Sequence, residues 1–437
     1  MAPASLPPGP RTPALFQALH YMREPLAFLD GYRRRYGDVF TVSFPYFGKI
    51  VYLASPELVK ELFTGAPGIF HAGEANATVL EPALGPNSVL TLDDAPHMQQ
   101  RKLLLPPFHG ERVQRYGELI RAITRRDMEG WPVGEPFSLR PHTQRITLAV
   151  ILRAVFGIED EARVERATAL IDAFSDRVTL IIKFPVLRRD LGPLSPWRRF
   201  LRAREELDSF LYEEIALRRA DGGEERDDVL SLLLRARHDD GSPMADEELR
   251  DELLTVIGAG HETTATALAW SVERLLRTPR VLERLRESIA AGEDDYLEAT
   301  VKEALRARPV IIDVARKLTA PVEIAGYELP AGSFVLAPIG ALHYREDVFS
   351  EPDEFRPERF LDGKADNYAW IPFGGGVRRC IGAAFAEFEM RIVLREFIAR
   401  ADLKAPDPKP ERVRIRNITL APAKGTRVML ERPLELA

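Results

Sequence analysis

Phe373-Gly374-Gly375-Gly376-Val377-Arg378-Arg379-Cys380-Ile381-Gly382 is the stretch from which the rest of the chain is read. Its three glycines allow backbone angles closed to other residues and let main chain come close to a ligand. Cys380 follows them at the start of a helix predicted to run from about Gly382 to Arg400. Free backbone N–H groups and the positive end of the helix dipole gather at such a start. Both favour thiolate, the form that binds metals and attacks electrophiles, and Arg378 adds positive charge. A thiolate so placed is a metal ligand or a catalytic nucleophile, and no partnered histidine is evident nearby to activate a nucleophile. A lone cysteine is more often just a small buried hydrophobe. For a plain turn into a helix, however, this much specification would be wasteful.

Cys380 is the single cysteine of a 437-residue chain. That excludes intrachain disulfides, cysteine-based zinc sites and an all-cysteine iron–sulfur cluster within it. Hydrophobic residues make up 45% and charged residues 29%, enough for a large core and too apolar for disorder. A net charge of −6 argues against nucleic acid or an anionic membrane as principal partner. The start, Met1 to Pro10, has no continuous apolar run, and no stretch nears the roughly eighteen apolar residues of a membrane span. A soluble, cytoplasmic protein without a membrane anchor is expected. No linker divides the chain, so residues 1–437 are read as one domain, with residues 1–11 a flexible Pro-rich lead.

The patterning predicts a mainly α chain with a minor β part. A helix is expected from about Thr12 to Arg35, then strands Val39–Phe44 and Lys49–Leu53 around the turn Pro45-Tyr46-Phe47-Gly48. Helical periodicity follows for most of the middle. Residues 316–338 turn strand-like, 346–372 are irregular, and a hairpin is expected around Pro422-Ala423-Lys424-Gly425. One helix stands out. Asp246 can cap a segment reaching about Arg277, stopped by Pro279, a rod of roughly 48 Å. Its middle reads Gly258-Ala259-Gly260-His261-Glu262-Thr263-Thr264, poor helix formers in an otherwise apolar rod. Either two helices cross closely there, with Thr hydroxyls bonded to preceding carbonyls, or a functional site overrides local propensity.

With these residues in view, the chain resembles the cytochrome P-450 superfamily, soluble bacterial type. The cysteine signature is matched by Phe373, Gly376, Arg378, Cys380 and Gly382. The central-helix motif is matched by Ala259, Gly260, Glu262 and Thr263, and the Glu-x-x-Arg motif by Glu303 and Arg306. The Pro-x-Arg-Phe motif is matched by Pro357, Arg359 and Phe360, and His97 with Arg101 follows Pro96 as in many bacterial members. The resemblance covers about residue 10 to the C-terminus. It implies the family fold: a long central helix over a haem, with a small β-sheet on the N-terminal side. It implies haem b with Cys380 as iron ligand, and His97, Arg101, Arg316 and Arg378 at the propionates. Glu303, Arg306 and Arg359 would form a buried network that pins the irregular segment before the cysteine. Where the family usually has two prolines after Glu-x-x-Arg, this chain has Pro309-Val310.

By the same resemblance the protein is a monooxygenase, Thr263 and Glu262 serving hydrogen bonding and proton relay at the oxygen site, with Ala259 and Gly260 leaving room above the iron. The alternatives are a peroxygenase or isomerase on the same fold, or a haem-thiolate sensor without turnover. Nothing resembles a flavin, nicotinamide or iron–sulfur domain, so electrons are expected from a ferredoxin or flavodoxin with its reductase. Lys102, Arg112 and Arg379 are candidate docking cations, each equally well an ordinary surface charge. Val256, Ile257, Val310, Ile311, Ile312, Ile418 and Leu420 are implied in an apolar substrate pocket, with Asp313 able to anchor a polar group. Lys183, Arg188 and Arg189 are read as surface charges that can attract a carboxylate. A monomer acting on a small apolar organic substrate and O2 is expected.

Overall fold

Apolar residues on nearly every side of one long helix decide the architecture, because such a helix must be surrounded. It runs Asp246–Leu276, and Leu249, Leu253, Leu268, Val272 and Leu275 along it are wholly buried. Helices Arg140–Ala154, Pro196–Ala220, Asp295–Ala307 and Ala383–Arg400 pack around it. The computed structural model describes residues 6–108, 110–221, 226–361 and 366–434, and leaves aside the side chains of 111, 112 and 183. Asp246 is not the cap. The helix is entered from Ala245, whose backbone N–H donates to Glu248 Oε2 at 2.8 Å, while the acids of the first turn suit the positive helix end. Pro279 opens the next helix, Pro279–Ala290.

A five-stranded sheet lies on the N-terminal side in the order Val39–Phe44, Gly48–Leu53, Phe334–Pro338, Asp313–Leu318, Phe70–His71. Both faces are covered, and strand alternation sorts the side chains between them. Phe40, Val42, Ile50, Tyr52 and Leu336 turn to one cluster with Phe28 and Leu29. Val51, Leu53, Val335 and Ala337 turn to another with Leu62, Phe63 and Leu318.

Three expectations change. The helix expected over 12–35 is two, Ala14–Arg23 and Pro25–Tyr36, because Pro25 drives Glu24 out of helical angles, to φ −142° and ψ 67°. The C-terminal hairpin turns at Asn417-Ile418, between strands Val413–Arg416 and Thr419–Pro422, with Asn417 at φ 53°. The Pro422–Gly425 turn instead leads into strand Arg427–Pro433, which pairs with Pro136–Ser138 and Ala401–Lys404. Nor is the Pro-rich lead loose from Leu6 on: the Pro7 and Pro8 carbonyls accept from Thr41 Oγ1 and N at 2.8 Å, and Gly9 sits against the Thr41 carbonyl, where a Cβ would not fit. Among the described residues no helix is long and apolar enough to cross a membrane.

Strand parity also decides Asp313. Val314 and Arg316 share one face of their strand, so Asp313 looks the other way, where Tyr52 and Tyr21 hydroxyls donate to Oδ2 at 3.0 and 3.2 Å. Burial pushes its carboxyl up to about 6 against the pull of the two hydroxyls. A carboxyl whose folded pKa lies above its unfolded value is protonated in the fold first, so stability falls as pH rises from about 4 to about 6. The loss should be about 2–3 kcal/mol. Comparing melting of Asp313→Asn with the parent from pH 4 to 6.5, the variant should gain relative stability across that window; a constant difference would refute the burial of this carboxyl.

Candidate functional site

The cysteine loop is shaped by close backbone contact. Gly374 and Gly376 have φ of +64° and +62°, and a Cβ on Gly375 or Gly376 would come within 2.3 Å of Phe63. The loop thus sits directly on helix Pro56–Thr64. Cys380 N donates to the Phe373 carbonyl at 2.9 Å, closing the loop around a short turn at Gly376–Arg378. The helix proper begins at Ala383 with Gly382 as cap. Cys380 is accessible but enclosed. Enclosure pushes its thiol pKa up, outweighing the downward pull of the Gly382 backbone N–H, Arg379 and Arg101. The expected thiolate-favouring balance is therefore reversed in the protein alone, since desolvation of the anion outweighs the helix start. A bound metal cation supplies the missing charge.

Four donors gather beside this loop. His97 and Arg101 lie one turn apart on helix Asp94–Leu104, and His97 is buried. Burial, then Arg378 and Arg101, press the His97 pKa down to about 4, so its ring is neutral. Arg316 is buried on its strand, over the Phe63 ring at 5.5 Å, its Nη1 donating to its neighbour's Ala315 carbonyl. Burial and Arg378 lower its pKa to about 10. Arg378 donates to the Val89 and Leu92 carbonyls and pairs with Asp93. Among the described residues Arg101 and Arg316 have no ion pair, and Arg378 pairs with Asp93. Buried positive charge left uncompensated is unfavourable. The set fits a ligand with more than one negative charge, as the two propionates of haem b provide, and an accessible cysteine beside it fits the iron.

The segment leading to the loop is pinned by charge. Arg306 and Glu303 are both fully buried and meet in two hydrogen bonds of 2.7 and 2.8 Å. Glu303 also accepts the Arg356 backbone N–H at 2.8 Å and faces Arg359 Nε at 3.5 Å. Arg306 continues to the His343 and Glu354 carbonyls, and Arg359 to those of Ser350 and Glu351. The three expected residues are thus together. His343 was not foreseen: its Nε2 accepts from Ile371 N at 3.0 Å, and burial with Arg306 drives its pKa down to about 3. A lone histidine carries no sequence signal for that.

The middle of the central helix has two sides. Gly258 and Ala259 are accessible although the turns on either side are buried. Thr263, half-buried, donates to the Ala259 carbonyl at 2.6 Å, and Thr264 to that of Gly260. Gly260 leaves no room above a ligand: its missing Cβ would lie 2.9 Å from Ile151 Cδ1, so it serves the crossing with helix Arg140–Ala154. Glu262 faces that helix too. It pairs with Arg140 and accepts from Gln144 Nε2 at 2.8 Å. The close-crossing reading of this segment holds, with both Thr hydroxyls bonded to preceding carbonyls.

The expected pocket is only partly assembled. Val256, Ile311 and Ile418 keep accessible surface, Ile418 at 43% on its hairpin tip. Ile257, Val310, Ile312 and Leu420 are buried in core clusters, Ile312 and Leu420 beside Phe28 and Tyr52. Asp313 is held by tyrosines and offers no anchor to a substrate. Arg188 is engaged with the Thr78 and Val79 carbonyls, and Lys102 with Asp239. The side chains of Lys183 and Arg112 lie outside the described residues.

The cytochrome P450 family model matches residues 6–429. The chain is similar to cytochrome P450 135B1 of Mycobacterium tuberculosis H37Rv, 42% identical over 433 residues, spanning 97% of this chain and 91% of that protein. Cytochrome P450 138 of Mycobacterium bovis is 38% identical over 429 residues, spanning 98% and 96%. The fold matches the solved structure of retinoic acid bound cyanobacterial CYP120A1, with a TM-score of 0.86 at 24% identity over 99% of this chain and 100% of that one.

Replacing Glu303 or Arg306 by alanine strands a buried charge and should remove about 3–5 kcal/mol. Either variant is expected to melt much earlier and to purify with little haem. Full haem content and parental melting in both would show that the pair does not hold the loop.

Proposed function

The chain belongs to the cytochrome P450 family, and we propose that within it the protein inserts one oxygen atom of O2 into an apolar organic substrate by hydroxylation or epoxidation. Membership makes it a haem-thiolate monooxygenase with haem b as cofactor. The observation that carries the site assignment is the lone cysteine, accessible on a loop that the glycines press against Phe63, beside cations short of counter-charge. When bound through a cysteine thiolate, haem supplies oxygen activation.

The chain's own residues divide the remaining work. Cys380 would ligate the iron, with the Gly382 N–H aimed at its sulfur and Phe373 closing the loop. His97, Arg101, Arg316 and Arg378 would hold the two propionates. On the central helix Ala259 would leave an open wall, and Thr263 could turn its hydroxyl away from the Ala259 carbonyl to hold or pass a proton at Oγ1. Glu262 would resupply that proton. The acid next to the alcohol supports an O2-dependent reaction over a peroxide-driven one.

The accessible apolar groups at Val256, Ile311 and Ile418 favour substrates of lipid, terpenoid, steroid or polyketide type. Electrons would come from a ferredoxin or flavodoxin with its reductase, the protein working as one monomeric catalytic domain in the cytoplasm. Arg379, exposed next to the cysteine, is a docking candidate.

Cys380→Ala should abolish thiolate ligation and turnover; a thiolate-type reduced carbon-monoxide spectrum from that variant would end the assignment. Thr263→Ala should keep substrate binding and reductant consumption but cut product per reductant about ten- to a hundredfold, as expected for one lost hydrogen bond to a charged group. Peroxide should account for the missing reducing equivalents. Unchanged coupling would remove Thr263 from proton delivery.

A further inference from the structure

Val89 is gripped by its backbone from two directions. It lies in the irregular segment 85–93, between helices Ala72–Leu84 and Asp94–Leu104. Its N–H donates to Glu252 Oε1 at 2.8 Å, on the first half of the central helix. Its carbonyl accepts from Arg378 Nη1 at 3.1 Å, on the cysteine loop. One residue spans at most about 3.6 Å, so a shift at either grip is passed to the other.

Neither end is loose. Asp251 Oδ2 accepts from Asn87 N at 2.9 Å and Nδ2 at 3.1 Å, and Thr255 Oγ1 meets Ser88 Oγ at 2.7 Å. Asp251, Thr255 and Glu252 therefore clamp three successive residues of the segment, and all three are buried. Gly85, at φ +92°, runs so close that a Cβ would lie 2.1 Å from Asp251 Oδ1. At the other end Arg378 also donates to the Leu92 carbonyl and pairs with Asp93. Among the described residues, every hydrogen bond that Arg378 makes goes to this one segment. Asp93 is itself fixed, accepting from Gly73 N at 2.8 Å and Glu74 N at 2.7 Å.

Glu252 is an unusual clamp. Among the described residues it has no ion pair, and its Oε2 is buried without a hydrogen-bond partner. Burial pushes its carboxyl well above the ordinary range, so it offers Val89 an acceptor oxygen rather than a charge. A side chain that only filled this space could be apolar at less cost.

We propose that Glu252, with Asp251 and Thr255, is a positioning residue that sets the Arg378 guanidinium through Val89, so that the central helix strengthens the hold on the cofactor's carboxylates without touching them. The inference rests on the reading of Arg378 as a propionate ligand.

The test follows transfer of haem from the loaded protein to excess apomyoglobin. Glu252→Leu cannot accept from the Val89 N–H and should release haem about tenfold faster, the size expected for one lost buried hydrogen bond. Glu252→Gln keeps an acceptor oxygen and should stay within about twofold of the parent. Arg378→Gln should also release haem about tenfold faster, and adding Glu252→Leu to it should change little, because both act on one contact. Added to Arg101→Gln, Glu252→Leu should multiply the release rate about tenfold again. Should Glu252→Leu fail to fold, Asn87→Ala with Ser88→Ala, which unfastens the segment from its own side, replaces it in both combinations. Full multiplication with Arg378→Gln would overturn the proposal and leave Glu252 a general support of the fold. Parental release from folded Glu252→Leu, or equal loss in Glu252→Gln and Glu252→Leu, would overturn it too. Parental release from Arg378→Gln would instead remove Arg378 from the propionate set, and the inference would fall with that reading.

Discussion

A pair of charges cut off from water, Glu303 with Arg306, is the constraint on which the rest of this molecule depends. Neither could be buried alone; together they still have lone pairs and donors to satisfy, and these are met by backbone from His343, Glu354 and Arg356 and by Arg359. An irregular stretch with few backbone bonds of its own is thereby given one path. His343 extends the hold to the Ile371 amide, close before the glycine run. The cysteine loop is positioned by electrostatics upstream of it as much as by the helix that follows.

The electrostatics of the site itself run in the opposite sense. Arg306 meets a carboxylate in Glu303, whereas among the described residues Arg101 and Arg316 have no ion pair. Enclosure makes the thiol harder to ionise, the His97 ring harder to protonate and Arg316 easier to neutralise. Burial is the first cause of all three, and haem b, the family's cofactor, would bring a metal cation and two carboxylates to them. Binding that group relieves each of them at once, so cofactor uptake and folding of this region are thermodynamically linked.

How much of this was legible depended on whether a residue's role is local. The glycine run, the Glu-x-x-Arg pair and the His97–Arg101 turn carry their geometry within a few residues, and each has the local geometry its spacing implied. Roles set by a distant partner were misread. Gly260 looked like space for a ligand, but Ile151 fills that side, and no pattern within the central helix names what packs there. Asp313 was assigned to the pocket, whereas strand parity turns it to Tyr21 and Tyr52. Glu262, read only as a proton relay, also meets Arg140, a partner that one helical step brings to it. Asn417, whose tolerance of a left-handed backbone was available to read, was passed over for the stronger Pro-Gly signal nearby.

Phe63 joins two features usually considered apart. Its ring and carbonyl occupy the space above Gly375 and Gly376, and the same ring lies under the Arg316 guanidinium. The cysteine loop and the Arg316 guanidinium therefore lean on one side chain. In evolutionary terms that is pleiotropy: no substitution at Phe63 can loosen the cysteine loop without also shifting Arg316. The glycines, in turn, cannot acquire side chains unless the ring shrinks first. Lineages that drift here must change in concert, and an engineer who wishes to retune the metal through this loop inherits the same bond between two traits.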